Sequence, residues 1–266
     1  MNAPTTTAPP TSAKELRDLA SRGEWTGPTG QLLTANQQAN LAIVPKDLAF
    51  DFLLFCQRNP KAAPVIAVTD VGDPILRHGT TVADLRTAIP RYRVWQDGEL
   101  VDEPTDITNY WREDSVAFLL GCSFTFEGAL TRAGIEFEAA PGTGTSPAYV
   151  TSIPTKPAGT LNGPLVVSLR LVRKELVARA VEITSRYPTG HGAPVHIGDP
   201  SEIGIEDVYK PDFGVPPVIK DGYTPMFWAC GVTPQVVLPQ SGAAYVITHA
   251  PNHLFVFDHD ADELLF

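Results

Sequence analysis

Proline and glycine are so frequent in this chain that long helices have little room. The sequence has 25 prolines and 21 glycines among 266 residues. Proline interrupts helices and interior strands, and glycine favours turns. We therefore expect short elements joined by many turns, in a loop-rich domain of the kind that enzymes use, rather than a helical bundle or a coiled coil.

The acidic balance of charge restricts the partners of the chain. Its formal net charge is −10, whereas nucleic acids and anionic membranes attract clustered lysine and arginine. No apolar run approaches the roughly 18–20 residues of a membrane span. The expected partner is thus a small molecule, with no nucleic acid and no membrane, and a homodimer is the candidate assembly. Three widely separated cysteines predict free thiols and a cytoplasmic location.

The first thirteen residues differ in composition from the rest. Residues 1–13 are rich in Pro, Thr and Ala and lack the basic start and apolar middle of a secretory signal. They predict a disordered tail, with residues 14–266 forming one two-lobed domain. Ser12 and Glu15 have the spacing of a capping box, which predicts a helix that Gly23 ends.

Further elements follow from local patterns. A helix is predicted from Lys46 to the Asn59-Pro60 stop, a strand running into a turn at "APVIAVTDVGDP", and a hairpin around Asp97-Gly98. The stretch from Tyr110 to Gly134 is predicted to be mostly helical, with a hinge at Gly121. Later strands are predicted at "LVVSLRLV", "APVHIG", "PMFWACGV", "AAYVITH" and "LFVF", with an amphipathic helix at "RKELVARAVEITSRYP". The irregular alternation of helices and strands indicates a mixed α/β fold with two lobes.

The stretch "LLGCSFTFEGAL" holds the first candidate site. Cys122 and Ser123 stand at a predicted helix start, where unpaired backbone amides lower thiol pKa values and attract anions. Glu127 follows one turn later. The alternative interpretation is structural, with Ser123 as a simple helix cap and Cys122 as a space filler.

The stretch "FWACGVTPQ" holds the second candidate. Cys230 falls at the end of an apolar strand, Gly231 allows a close turn, and Thr233 adds a hydroxyl. Ligands commonly bind at the carboxyl ends of strands in open α/β sheets. A functional and a structural role are equally compatible with this pattern.

A third set of candidates lies in "ITSRYPTGHGAPVHIGDP" and in "GPLVVSLR". His191 or His196 would serve as a general acid or base, with Asp199 nearby. Arg170 or Arg186 would bind a carboxylate with two parallel hydrogen bonds. Structural roles, such as backbone-bonded histidines and a buried ion pair for Arg170, remain open beside these.

Several common site motifs are missing from the sequence. The His-x4-His spacing in this segment matches no common zinc pattern, and His249-x3-His253 contains Pro251, so neither pair predicts a metal site. There is no Gly-x-Gly-x-x-Gly after a strand, no Walker-type Gly-Lys-Ser/Thr and no Gly-x-Ser-x-Gly. We expect neither a metal nor a cofactor.

Long phrases of the sequence resemble a known family. They run in order from Gln38 to Gln235 as "QANLAIVP", "DFLLFCQRNPK", "LRTAIPRYRVWQDG", "DSVAFLLGCSFTFEGALTRAGI", "NGPLVVSLR", "ITSRYPTGHGAPVHIGDPSEIGI", "PDFG" and "FWACGVTPQ". The chain is similar to the hydro-lyase family that also supplies the amino-terminal region of D-glutamate cyclases.

The resemblance implies a fold and a reaction. The implied fold is α/β, with a mixed-sheet three-layer lobe and a second, smaller α+β lobe. The implied enzyme is a carbon–oxygen lyase, a cofactor-independent hydro-lyase or dehydrating cyclase acting on a small amino or hydroxy carboxylic acid such as D-glutamate. The chain departs from the family pattern at "PAYVTS", where an arginine and an asparagine are missing around Tyr149, so we expect a changed substrate.

Two other functions stay open. Cys122 and Cys230 are what a two-base racemase or epimerase requires, if both thiols face one substrate carbon. A non-catalytic small-molecule binding module is the third hypothesis.

Overall fold

The structure is a computed structural model that describes residues 8–30, 32–137 and 146–265. Of the tail predicted for residues 1–13, residues 1–7 lie outside this description. Helix α1 (Ala13–Ser21) confirms the capping prediction, because the Ser12 side chain accepts a hydrogen bond from the Glu15 amide at 3.2 Å. Its buried face includes Leu16 and Leu19.

Four more α-helices and thirteen strands occur in the described part of the chain. The helices are α2 (Lys46–Arg58), α3 (Phe124–Arg132), α4 (Val177–Ser185) and α5 (Val232–Val237). The strands are β1 (Asn36–Pro45), β2 (Val65–Val68), β3 (Ile75–His78), β4 (Thr81–Asp84), β5 (Tyr92–Gln96), β6 (Glu99–Asp102), β7 (Ser115–Gly121), β8 (Ala148–Pro154), β9 (Pro164–Arg173), β10 (His196–Ile197), β11 (Tyr223–Ala229), β12 (Tyr245–His249) and β13 (Phe255–Asp260). The mixed α/β class is confirmed.

The strands form two principal sheets and one hairpin. The larger sheet has seven strands in the order β2-β7-β1-β12-β5-β6, and β13 pairs with the first half of β1. The smaller sheet has the order β10-β11-β9-β8, and β3 pairs with β4. Strand β1 therefore stands at the centre of the larger sheet, between β7 on one edge and β12 with β13 on the other.

The expectation of a mixed sheet is wrong for the pairings that the described residues make. All of them are antiparallel, including those of β1 with β7 and β12, and of β9 with β8 and β11. Neighbouring strands in these sheets come from distant parts of the chain. Their relative direction is decided by those long-range pairings, which local alternation of helices and strands cannot indicate.

Both faces of the larger sheet are covered. Alternate residues of β1 point to opposite sides, as the pleat requires, so Leu41 and Ile43 enter one core while Ala42 and Val44 enter another. The second core contains Phe52 of α2. Strands that are buried on both faces have continuous apolar runs in their sequence. The stretch from Leu41 to Val44 in β1 therefore shows no alternation of apolar and polar residues.

The predicted helix from Tyr110 to Gly134 is wrong in its first half. Residues Ser115–Gly121 form β7, every residue of which is buried, and only α3 is helical. A short continuous apolar run fits a fully buried strand as well as a helix, because it lacks the periodicity that separates them. The turn at Gly121 is real, but it joins a strand to a helix.

Local turn and capping signals predicted the end of α2 and the turn between β5 and β6 correctly. Helix α2 ends at Arg58, one residue before the predicted Asn59-Pro60 stop. The hairpin β5–β6 turns through Asp97 and Gly98, whose φ values of 49° and 85° both lie in the left-handed region that such a turn requires.

Gly121 supplies a test of this packing. A Cβ at this position would lie 1.4 Å from the carbonyl oxygen of Thr189, so the backbone would have to move. We expect Gly121→Ala to lower the free energy of unfolding by about 1–3 kcal/mol or more, as overpacking does. Gly27→Ala is the matched control, because its Cβ would make only ordinary contacts with Trp25. Equal urea midpoints for the two variants would contradict the close contact between Gly121 and the Thr189 carbonyl oxygen.

Candidate active site

A cavity of about 430 Å³ lies between the two principal sheets. The larger sheet contributes Asn40 of β1, Arg93 and Trp95 of β5, and His249 of β12. The smaller sheet and its following turn contribute Ser168, Arg170 and Cys230, while Cys122 and Ser123 come from the β7–α3 turn. The cavity therefore gathers side chains from segments far apart in the sequence.

Arg170 is the centre of a buried polar network at this cavity. It is 1% exposed and lies within β9, where its Nε donates to Glu127 Oε1 at 3.0 Å and a terminal nitrogen reaches the same oxygen. The two terminal nitrogens also donate to Ser168 Oγ at 3.0 Å and to Ser123 Oγ at 2.8 Å. The guanidinium lies 5.1 Å from the centre of the Phe126 ring, in cation–π range.

The pairing of Arg170 with Glu127 explains how both charges are tolerated inside the protein. Burial raises the pKa of the Glu127 carboxyl, and the adjacent guanidinium opposes that change. A buried ion pair gains stability only when its remaining hydrogen-bonding capacity is satisfied, and here Ser123 and Ser168 take up the other guanidinium donors. Arg170 is thus held rigidly in one orientation.

The two serines gain a defined orientation from this network. Each hydroxyl oxygen accepts a hydrogen bond from Arg170, so its own proton points elsewhere, and no hydrogen bond donated by either hydroxyl is found within the described residues. Ser123 makes no side-chain cap to α3, so the simple capping role is wrong. Both hydroxyls line the cavity. We call Arg170, Ser123 and Ser168 the anion-binding group, after the role that we propose for them below.

The two candidate cysteines occupy similar turns beside this group. Cys122 follows β7 and precedes α3, and Cys230 follows β11 and precedes α5. Each lines the cavity, and the backbone amide two residues later lowers the pKa of each thiol, an effect that is smaller than that of burial. Burial raises the pKa of both thiols, that of Cys122 to about 12, so both are protonated at neutral pH.

Asn40 holds these two turns close to each other. Its Nδ2 donates to the carbonyl oxygen of Gly121 at 2.7 Å, immediately before Cys122. A Cβ at Gly231, immediately after Cys230, would lie 2.2 Å from the same Nδ2. Gly231 is therefore required by the close approach of Asn40.

His249 is a cavity residue that sequence reasoning missed. The Leu41 amide lies 3.2 Å from its Nδ1, and Gln235 Nε2 lies 3.0 Å from its Nε2. Burial lowers the pKa of His249 to about 4, so the imidazole is neutral at neutral pH. Its position at the end of the predicted strand "AAYVITH" was the available signal, the same signal that pointed to Cys230.

Comparison with known proteins identifies the family. The D-glutamate cyclase family profile matches residues 116–258. Proteins named "Putative hydro-lyase" from Geobacillus kaustophilus and Stutzerimonas stutzeri are each 51% identical to this chain, over 97% and 95% of its length and 98% and 96% of theirs. The chain belongs to this hydro-lyase family. By these close homologues the predicted enzyme class, a carbon–oxygen lyase of the hydro-lyase type, is confirmed.

One solved structure also aligns with the chain. A nitrogen repressor-like protein from Methanococcus jannaschii is 9% identical and superposes with a TM-score of 0.39, over 93% of this chain and 98% of that chain. A similarity at this level says nothing about the function of a hydro-lyase family member.

The structure places His191 outside the lining of the cavity. His191 is 1% exposed, has a φ of 76°, and bonds the Lys61 carbonyl oxygen through Nδ1 at 2.6 Å. Its Nε2 is buried without a hydrogen-bond partner among the described residues. Burial lowers the pKa of His191 to about 4.

The remaining predicted residues do not line the cavity. His196 bonds the Asp199 carbonyl oxygen at 2.7 Å, and the Asp199 side chain caps the following turn at the Ser201 amide. Arg186 is exposed and pairs with Glu182 at 3.0 Å. The Tyr149 hydroxyl donates to the Val208 carbonyl oxygen at 2.5 Å.

Thr233 is buried one turn behind Cys230. Its hydroxyl oxygen accepts from the Val166 amide at 3.0 Å and thereby ties α5 to β9. Its position gives it a structural role in holding the Cys230 turn against the smaller sheet.

Neither a membrane-spanning helix nor a group of metal ligands is found among the described residues. No helix there is long and apolar enough to cross a membrane, and no group of three or more His, Cys, Asp or Glu side chains there is arranged to hold a metal ion.

Removing the charge of Glu127 tests the buried ion pair. We expect Glu127→Gln to lower the free energy of unfolding by about 3–5 kcal/mol, because it leaves the Arg170 charge buried and unpaired. Glu182→Gln is the matched control, since Glu182 forms exposed ion pairs with Arg179 and Arg186. Urea unfolding measures both, and a wild-type midpoint for Glu127→Gln would show that Arg170 is not dependent on its partner.

The two buried histidines predict acid sensitivity. Their folded-state pKa values of about 4 lie below the ordinary histidine value of 6.5, so the unfolded chain binds more protons between those values. Their contribution to stability is present above about pH 6.5 and is lost as the pH falls toward about 4, at up to about 1.4 kcal/mol per pH unit for each histidine. Urea unfolding of the wild type and of His249→Gln between pH 7 and pH 4 should show a shallower slope for the variant. Parallel slopes would mean that His249 is protonated in the folded protein.

Proposed function

We propose that this chain is a hydro-lyase or dehydrating cyclase whose substrate is a small amino or hydroxy carboxylic acid, similar to D-glutamate. The observation that carries the proposal is the anion-binding group at the cavity. Two serine hydroxyls oriented by a buried arginine form a fixed set of donors for a carboxylate. The similarity to the D-glutamate cyclase family supports the same class of substrate.

The rest of the cavity suits a small acid with a second charged group. Arg93 lines it, and the hydrogen bond found for its guanidinium among the described residues joins Nε to Glu103, at 2.6 Å. Its terminal nitrogens supply donors for a second carboxylate. Asp212 also lines the cavity and supplies an acceptor for an ammonium group. A volume of about 430 Å³ is more than enough for such a molecule.

Dehydration requires a site that stabilises negative charge and a group that protonates the departing oxygen. Removal of the α-proton of a bound acid creates an enolate, and ring closure by an amine creates a tetrahedral oxyanion. The anion-binding group would stabilise either of these. Cys122 is protonated at neutral pH and lines the cavity, so its thiol can protonate the departing oxygen, which leaves as water. His249 is neutral and lines the same cavity, so its imidazole can act as the base that takes the α-proton. Glu127 acts through Arg170 as a positioning residue.

The proposal includes the two-lobed architecture implied by the family. The seven-stranded sheet would belong to the larger lobe, and the four-stranded sheet to the smaller one. The contribution of both sheets to the cavity lining supports this arrangement, because ligand sites often lie between such units.

Proton NMR of the full chain with a panel of amino and hydroxy acids, including D- and L-glutamate, tests the proposed reaction. We expect one of them to give a product with one water fewer. Ser168→Ala should lower kcat/KM by about 10²–10³, the usual effect of losing one oxyanion donor. Ser152→Ala, on the exposed side of β8 in the same sheet, should leave the rate unchanged.

The same experiment can reject catalysis. If no acid gives a product while one of them raises the melting temperature, the cavity binds without reacting and the binding-module hypothesis replaces this one. Equal rates for Ser168→Ala and wild type would remove the anion-binding group from the mechanism.

A further inference from the structure

Two thiols flank the anion-binding group. Cys122 immediately precedes Ser123, and the Cys230 amide donates to the Val166 carbonyl oxygen at 3.0 Å, two residues before Ser168 on β9. Each cysteine is thus placed next to one of the two hydroxyls that would hold a carboxylate. Both cysteines and both serines line the same cavity, so an acid bound there lies in the space that the two thiols share.

The two thiols belong to equivalent local structures. Each follows the last residue of a strand and precedes a helix, and in each turn the backbone amide two residues later lowers the pKa of the thiol, Phe124 for Cys122 and Val232 for Cys230. Asn40 contacts both turns, because its Nδ2 donates to the Gly121 carbonyl oxygen and its side chain lies against Gly231. Dehydration uses one base and one acid with different tasks, whereas inversion of a carbon uses two equivalent groups that exchange the same proton, and these two thiols are equivalent in their local structure.

We propose that Cys122 and Cys230 form a pair of proton carriers that exchange and invert the α-carbon of a small amino or hydroxy acid bound in this cavity. The proposal rests on the proposed function for its carboxylate site, but it adds a second activity, that of a racemase or epimerase. Its substrates are acids with a hydrogen on the α-carbon, and glutamate is the first to test.

The step balances without a co-reactant. A thiolate on one cysteine takes the α-hydrogen as a proton, and the C–H electron pair enters an enolate stabilised by the anion-binding group. The thiol of the other cysteine delivers its proton to the opposite face of the carbon. The products are the inverted acid, a thiol on the first cysteine and a thiolate on the second, and nothing is oxidised or reduced.

One thiol must ionise before turnover, which gives the activity a pH dependence. Arg170 lowers the pKa of both thiols, while Glu127 and the neighbouring thiol raise that of Cys122, and burial dominates. The pKa of the Cys122 thiol is raised to about 12. Below that pH the thiolate fraction increases about tenfold per pH unit. The rate of inversion should therefore rise steadily between pH 7 and pH 10.

The test follows single enantiomers of glutamate and of the other panel acids in D₂O with the full chain. Chiral chromatography measures inversion, and proton NMR measures deuterium at the α-carbon. We expect the newly formed enantiomer to carry deuterium while the remaining substrate at first keeps its hydrogen, because two different groups handle the two protons. This partition is read from the wild-type protein and needs no variant.

Serine variants then show which cysteine removes the proton from which enantiomer. Cys122→Ser and Cys230→Ser should each lower the rate of inversion by about 10²–10⁴. Each should still exchange the α-hydrogen of one enantiomer only, the one whose proton the remaining cysteine removes. Cys56→Ala is the matched control and should invert at the wild-type rate, since Cys56 lies in α2, within the core of the larger sheet.

The outcomes separate this inference from the proposed function. A dehydrated product without inversion or α-deuterium in recovered acid overturns the paired-thiol inference and leaves the dehydrating enzyme standing. Inversion without a dehydrated product supports the pair and rejects dehydration on these acids. Absence of inversion and of exchange for every acid, or unchanged inversion in both serine variants, overturns the inference.

Discussion

The buried ion pair between Arg170 and Glu127 is the interaction on which the candidate site depends. It joins β9 of the smaller sheet to α3, the helix that follows β7 of the larger sheet. Two charges can remain inside a protein only if their hydrogen-bonding groups are satisfied, and the requirement is met by Ser123 and Ser168. Satisfying the arginine therefore orients the two hydroxyls that the cavity presents to a ligand.

The backbone around this pair allows the two sheets to approach each other closely. Gly231, which follows β11 of the smaller sheet, lies against the Asn40 amide of the larger sheet, and Gly121 of the larger sheet lies against the Thr189 carbonyl group that follows α4, so neither position has space for a side chain. The two cysteine turns next to these glycines line the same cavity. The local sequence "GCS" and the local sequence "ACG" are thus two halves of one site, separated by more than a hundred residues.

The electrostatic character of the cavity suits chemistry on a bound anion. The fixed positive charge belongs to arginines, whereas the groups able to transfer protons, the two thiols and His249, are neutral because burial opposes their charged forms. Family membership assigns the lyase class. The altered stretch "PAYVTS" contributes Ala148 to the cavity lining, whereas Tyr149 itself lies outside it. The core of the proposed mechanism therefore resides in the segments that match the family phrases.

The sequence by itself determined the elements whose signals are local. The Ser12 cap, the end of α2 near Asn59 and the turn at Asp97-Gly98 depend on backbone conformations that individual residues select, and the structure contains all three. It also pointed to Cys122, Ser123, Arg170 and Cys230 as residues at element ends or in unusual environments, and all four line the cavity. Only the tertiary structure decided that β7 is a strand, that the sheets are antiparallel and that His249 and Asn40 share the cavity with those residues. These features depend on pairing and burial between segments that are distant in sequence. An apolar run or a single polar residue does not indicate which distant segment it will contact.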